Sequence, residues 1–174
     1  CKCVGNVFRN GDCGLNTGDL VRDQGLRHIQ FVGRTGDTFR WKGENVATGE
    51  VEGALAQLPG IEHGVVYGVQ VPGHDGRAGM AAVTLAAGHA FDGAGLARGL
   101  CETLPPYAVP VFIRLREEQD TTGTFKYRKV DLKTDGFDPV SVTDPLYVLL
   151  DRDKGYERLT ERVAEAIAAG GCRL

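Results

Sequence analysis

Three side chains carry most of the chemistry this sequence can support: Asp19, Arg34 and Lys126. Asp19 follows the tight turn Asn16-Thr17-Gly18, and a carboxylate with acceptor sites on both oxygens can take hydrogen bonds from two vicinal hydroxyls, as a ribose offers. Arg34 could donate to the same hydroxyls or to a phosphate. Lys126 ends the polar stretch Thr121-Thr122-Gly123-Thr124-Phe125, where a flexible stem can carry a compact positive charge to oxygens that gain negative charge in a transition state. Each also has a plainer explanation: an aspartate capping its own turn, a solvated arginine, a solvated loop lysine. Their joint occurrence in this order shifts the balance towards function.

Other chemistries are excluded by what the sequence lacks. There is no Gly-Lys pair and hence no Gly-x-x-x-x-Gly-Lys phosphate loop, and Gly93-Ala94-Gly95 falls within a predicted helix rather than after a strand. The single serine, Ser141, has no nucleophile elbow around it. His28, His63, His74 and His89 show neither metal-ligand nor triad spacing. Five cysteines are an odd number without disulfide-framework spacing, which points to a reducing compartment. Cys1-Lys2-Cys3 has no nearby histidine or second cysteine pair to complete four ligands, so no metal site is expected. A formal charge of -3 and a pI near 5.8 leave no basic excess for a nucleic acid backbone, and nucleic acid is not an expected partner. No apolar run approaches the roughly 18 to 20 residues needed to span a bilayer. The start has neither a signal-peptide core nor an initiator methionine, and the chain reads as a piece of something longer.

The elements that must position these groups can be sketched from periodicity. Residues 6–32 alternate turn clusters with short β-prone runs such as Ile29-Gln30-Phe31-Val32. The stretch 33–52 is central: Gly33-Arg34-Thr35-Gly36 leads into the alternating run Thr38-Phe39-Arg40-Trp41, the turn-like Lys42-Gly43-Glu44-Asn45, and a helix start. Gly36 can adopt backbone angles closed to other residues, so it serves either as a hinge or as an ordinary glycine-rich strand connection. A helix capped by Thr48 and carrying Val51, Leu55 and Leu58 on one face is expected to stop at Pro59-Gly60. A hairpin follows, with Val65, Tyr67, Val69 and Val71 alternating and a return strand over about 80–86. Asp92 caps a second helix through Leu96, Leu100 and Leu104, ended by Pro105-Pro106. Val111, Ile113 and Leu115 alternate with Arg114 and Arg116, predicting a strand with one wet face. A short helical segment near 127–133, an extended run past Asp138-Pro139, and a last helix with Tyr156, Leu159, Val163, Ala166 and Ile167 on one face complete the chain. Strands and helices mix without a regular βαβ repeat, so the fold class expected is α+β, a small domain with a mostly antiparallel sheet flanked by helices.

Four segments resemble one known family. Asn16-Thr17-Gly18-Asp19-Leu20, the run from Phe31 to Thr48, Asp75-Gly76-Arg77-Ala78-Gly79-Met80-Ala81-Ala82, and Thr122-Gly123-Thr124-Phe125-Lys126 are similar to the C-terminal end of fatty-acid transport protein / very-long-chain acyl-CoA synthetases, members of the adenylate-forming superfamily. This sequence departs from the usual pattern at Gly14-Leu15, where an aromatic pair is usual, at Gly33 in place of an aspartate, and at Gly49 in place of a threonine.

The resemblance implies a fatty-acid–CoA ligase that consumes fatty acid, ATP with Mg²⁺, and CoA, and proceeds through an acyl-adenylate. By that resemblance Asp19 and Arg34 hold the AMP ribose, and Lys126 bridges the reacting carboxylate and α-phosphate. Gly36 is the hinge, and Trp41, Lys42, Gly43 and Glu44 line the path of the CoA pantetheine. Residues 1–35 then correspond to the β-rich end of a large N-terminal adenylation domain, and 36–174 to the C-terminal lid. Most ATP contacts and the Mg²⁺ would come from that N-terminal domain. The family context implies a cytoplasmic location and admits association with the inner face of the plasma membrane and oligomers. The competing reading is a stand-alone module that binds nucleotide, CoA or a protein without catalysis.

Overall fold

A computed structural model of the chain describes residues 3–6, 9–15, 19–34, 38–117, 129–172 and 174. It divides into two compact units, Cys1–Asp37 and Thr38–Leu174. The first contains two hairpins. Strands β1 (Cys3–Gly5) and β2 (Cys13–Leu15) pair antiparallel, as do β3 (Asp19–Gly25) and β4 (His28–Arg34). The β3–β4 turn places Leu26 and Arg27 at φ 50° and 63°, the two successive left-handed residues that match hairpin twist. Val21, Leu26 and Ile29 are exposed.

The second unit holds the core. Strands β5 (Thr38–Trp41) and β6 (Glu44–Ala47) form a hairpin that leads into helix α1 (Thr48–Leu55). There follow β7 (Ile61–Val69), β8 (Ala78–Leu85), helix α2 (Gly93–Thr103), β9 (Phe112–Leu115), helix α3 (Lys129–Asp135), β10 (Leu146–Asp151), β11 (Gly155–Arg158) and helix α4 (Glu161–Ala168). Five of these strands make one sheet in the order β11-β10-β9-β8-β7. Every pair in it is antiparallel except β8–β9, because α2 intervenes as a crossover between them. The mixed α+β class and the mostly antiparallel sheet are as the sequence predicts.

Register and alternation assign the two faces of the sheet. Val66 opposes Ala81, and Ala81 opposes Ile113, so these share a face with Gly64, Gly68 and Gly79. Small residues there let neighbours approach the backbone: a Cβ on Gly68 would lie 2.7 Å from Phe39 Cβ, and one on Gly64 would lie 2.9 Å from Leu55 Cδ1. The β5–β6 hairpin and α1 therefore cover this face. Tyr67, Met80, Phe112 and Arg114 share the opposite face, where Phe112 stacks on Phe137 at 4.4 Å between ring centroids. Both faces being covered, β7 is buried continuously from Val65 to Val69, and period-two alternation vanishes where the sequence predicted it.

Several predicted boundaries shift for physical reasons. Asp92 caps α2 as expected, its carboxylate accepting from the Gly95 amide at 2.9 Å. Thr48 does not cap α1: Ala47 occupies that position without a side-chain bond, and Thr48 is buried inside the first turn. The last helix begins only at Glu161, because Tyr156 belongs to β11 and the Thr160 hydroxyl caps by accepting from the Val163 amide at 3.4 Å. The β10–β11 hairpin replaces the expected extended run. The wet face predicted for the third strand is also overturned, since Arg114 is only 7% exposed beneath α3 and the segment after it.

Burying a Val, Leu or Phe side chain contributes about 1.5–3 kcal/mol, so stability resides in the second unit, where these side chains are buried. Two phenols are buried with it. Burial pushes Tyr67 well above the ordinary tyrosine pKa, opposed by the nearby Arg114 charge, and burial likewise raises Tyr156, whose hydroxyl donates to the Pro110 carbonyl at 2.7 Å. A phenol with a raised folded-state pKa stabilises the fold below the unfolded value of about 10 and loses that contribution as pH rises further. In an ultraviolet titration of the five tyrosines, Tyr67 and Tyr156 are expected to stay protonated until alkaline unfolding. Tyr67→Phe and Tyr156→Phe should each remove one phenol from that late step.

Candidate functional site

Asp19 and Arg34, fifteen positions apart in sequence, are direct partners across the β3–β4 ladder, each the outermost residue of its strand. Opposite residues of an antiparallel pair have Cβ atoms about 4.5–5.5 Å apart. The backbone register thus places positions 19 and 34 side by side at one end of the hairpin. Gly36 and Lys126 lie outside the described residues.

The predicted turn over 41–44 is a two-residue hairpin loop, with Lys42 at φ 51° and Gly43 at φ 87°. Its members divide by exposure. Trp41 is buried at 2%, stacked against the His74 ring at 5.6 Å, whereas Lys42, Gly43 and Glu44 are exposed. Lys42 Nζ lies 5.8 Å from the Trp41 ring centroid and donates to the Leu174 carbonyl oxygen at 2.5 Å. The hairpin is fastened to the β7–β8 connection by the Arg77 amide, which donates to the Arg40 carbonyl at 2.7 Å, and by a bridge between Trp41 and Gly76. The tip therefore exposes Lys42, Gly43 and Glu44 on a base fastened to the β7–β8 connection.

Two polar clusters that sequence reasoning missed flank the segment containing Lys126. On its N-terminal side, Arg114 Nε donates to Asp144 at 2.6 Å, and its NH1 donates to Asp135 of α3 at 2.7 Å. Burial alone would depress the guanidinium's pKa, but the hydrogen bonds to Asp135 and Asp144 outweigh it and hold the group above its ordinary value. The Tyr67 hydroxyl is buried close enough to feel that charge without a well-formed hydrogen bond. On the C-terminal side, Lys129 Nζ donates to Glu52 Oε1 at 3.0 Å and to Thr48 Oγ1 at 3.3 Å. The same Glu52 oxygen accepts the Val66 amide at 2.9 Å. The partners in these clusters are 14 to 81 positions apart, so no spacing signal could have revealed them.

A cleft of about 540 Å³ opens beside Arg116, lined by Thr84, Leu115, Glu117, Thr143 and Asp144 among others. Among the described residues no group of three His, Cys, Asp or Glu side chains could hold a metal ion. Nor is any described helix long and apolar enough to cross a membrane.

Residues 50–126 match the family model of the AMP-binding enzyme C-terminal domain. Solved structures of like fold include ATP-bound MatB from Rhodopseudomonas palustris, at 25% identity and a TM-score of 0.61 over 69% of this chain and 24% of that one. The amide bond synthetase McbA from Marinactinospora thermotolerans aligns at 28% identity and a TM-score of 0.60 over the same shares. Fold and family model together define an AMP-binding enzyme C-terminal domain.

Sequence relatives narrow the class. The chain is 51% identical over 169 residues to the medium/long-chain-fatty-acid–CoA ligase FadD6 of Mycobacterium tuberculosis, covering 97% of this chain and 28% of the relative. It is 50% identical over 175 residues to long-chain fatty acid transport protein 3 of Homo sapiens, covering 99% and 25%. Over nearly its whole length the chain is thus similar to a fatty-acid–CoA ligase and a fatty acid transport protein, and it spans about a quarter of the length of these relatives.

The Gly76 contact can be tested directly. A Cβ there would fall inside contact distance of the Arg40 carbonyl oxygen on a backbone at φ +85°, whereas one on Gly43 would meet nothing within 4 Å. Gly76→Ala is expected to destabilise the fold by about 2 kcal/mol or more. Gly43→Ala should cost only about 1 kcal/mol, the left-handed penalty alone. Denaturant unfolding followed by the single tryptophan, Trp41, measures both.

Proposed function

We propose that this chain is the hinge and lid segment of a fatty-acid–CoA ligase, in which residues 1–35 end the large adenylation domain and 36–174 form the lid. The observation that carries this reading is the pairing of Asp19 with Arg34 at the end of the β3–β4 hairpin. It supports a ribose seat immediately before the division of the chain at residues 37 and 38, next to Gly36. The exposed apolar side chains of Val21, Leu26 and Ile29 support the further reading that this hairpin completes a sheet of a domain outside the chain.

In the first half-reaction the fatty acid carboxylate attacks the α-phosphate of ATP, giving acyl-adenylate and releasing pyrophosphate. Asp19 accepts from the ribose hydroxyls, Arg34 donates to them, and the Lys126 ammonium neutralises charge that builds on the reacting oxygens. Mg²⁺, which supplies charge neutralisation on the polyphosphate, would take its ligands from the N-terminal domain, since the described residues offer no such set. In the second half-reaction the CoA thiol attacks the acyl carbonyl and AMP leaves. That step needs the lysine withdrawn and a path opened for a bulky thiol, and a lid swinging at Gly36 serves both needs. The exposed tip Lys42-Gly43-Glu44 would then line the pantetheine path.

The test is a chimera joining the first three-quarters of the mycobacterial relative to this chain. Lys126→Ala should lower adenylate formation by about 100-fold or more, while thioester formation from supplied acyl-adenylate stays within a few-fold. Equal loss in both half-reactions refutes the role. The 174-residue chain alone is expected to release no acyl-CoA in the same assay.

A further inference from the structure

A groove of about 430 Å³ runs between α4 and the segment that follows α3. Its floor is apolar: Pro72, Phe137 and Val140 contribute to it, as do Ala164 and Ala168 of α4. Val140 is 73% exposed, an uncovered branched side chain close in sequence to Phe137, whose own ring stacks on Phe112 of the core. Uncovered apolar surface rimmed by polar groups marks an interaction site.

The exposed face of α4 suits a second helix. Glu161, Ala164, Glu165 and Ala168 recur at three and four positions and so share one face, while Ile167 is fully buried in the core. Alanines add little bulk beyond Cβ, so another helix can lie close against them. The eight residues of α4 span about 12 Å, which allows about two turns of contact.

The rim fixes the sign of the occupant. Asp135, Asp138, Glu161 and Glu165 line the groove, and no lysine, arginine or histidine does so among the described residues. Asp135 is already paired with Arg114. Asp138 gives one oxygen to the Val140 amide at 2.9 Å, and among the described residues neither it nor Glu161 nor Glu165 forms an ion pair. Three such carboxylates repel fatty acids and nucleotides, which are anions, and complement a surface bearing lysine or arginine.

We propose that this groove receives a basic amphipathic helix of a partner protein. Apolar side chains of that helix cover Phe137, Val140 and the two alanines, and its lysines or arginines meet Asp138, Glu161 and Glu165, the helix-in-groove mode of recognition.

The experiment titrates the 174-residue chain into a fluorescently labelled peptide of roughly 14 residues, long enough for a marginal helix, with leucines at spacings of three and four flanked by lysines. Saturable binding with a micromolar Kd is expected, and no saturation by about 1 mM overturns the proposal. Glu161→Gln combined with Glu165→Lys should weaken binding about tenfold or more. Val140→Ser should weaken it about threefold. All three side chains are exposed, so the Tm of these variants should barely move. Unchanged affinity in the variants overturns the proposal. So does equal affinity for a peptide with serines in place of its leucines, which would show charge attraction alone, or with glutamates in place of its lysines. Dodecylammonium binding where the peptide does not would make the occupant a small amphiphile, and a dimer of the chain that the peptide disperses would make it a second copy; either result overturns the assignment. The chimera described above should bind the peptide as the 174-residue chain does, and loss of binding there, with the groove filled by the enzyme's own larger domain, overturns the assignment to a partner.

Discussion

A guanidinium removed from water must bring its own counter-charges, and the face of the sheet bearing Arg114 is arranged to meet that requirement. Asp135 comes from the last turn of α3 and Asp144 from the segment before β10, so one side chain of β9 gathers two parts of the chain that follow it. Taking away a partner of such a buried charge costs on the order of a few kcal/mol, because the remaining charge stays desolvated. Arg116, 3.6 Å from Asp144, adds a second cation to the same carboxylate. With Phe137 stacked on Phe112 beside this cluster, α3 has little freedom to slide along the sheet.

This interaction was not visible in the sequence, where Arg114 and Arg116 alternating with Val111, Ile113 and Leu115 carry the signature of a half-wet strand. The pattern reports only which residues share a side. It does not report what comes to cover that side from 21 or 30 positions away. The same limit explains β7, whose valines were correctly assigned to a strand but whose continuous burial depends on Phe39 and Leu55 settling over Gly64 and Gly68. Features set by local chemistry fared better: the Asp92 cap, the Pro105-Pro106 stop and the β7–β8 hairpin all follow from residues within a few positions of one another. Tyr156, Leu159 and Val163 satisfy helical spacing equally well when the first of them lies in a strand, so spacing alone places the start of the last helix too early. Thr160 was the cue that fixes the true start.

The candidate site divides along similar lines. Asp19 could be named from residue type and the Thr17-Gly18 turn before it, and Arg34 from residue type, while the ladder supplies the register that pairs them. The exposed Lys42-Gly43-Glu44 tip was legible from a glycine in a polar turn. The burial of Trp41 was not, since it follows from the His74 ring and the close approach of Gly76, both beyond the reach of local pattern. The clusters around Arg114 and Lys129 had no sequence signature at all.

The borders of the five-stranded sheet bear on its solubility. β7 is an outermost strand, and its unpaired amides would accept a strand from another molecule. Glu52 occupies one of those amides, and α1 and α3 both pack along that strand. The opposite border, β11, is four residues long and ends in exposed Glu157 and Arg158, whose charges oppose stacking by a neighbour. A carboxylate that ties down α3 thereby also takes up one donor on the sheet's open border.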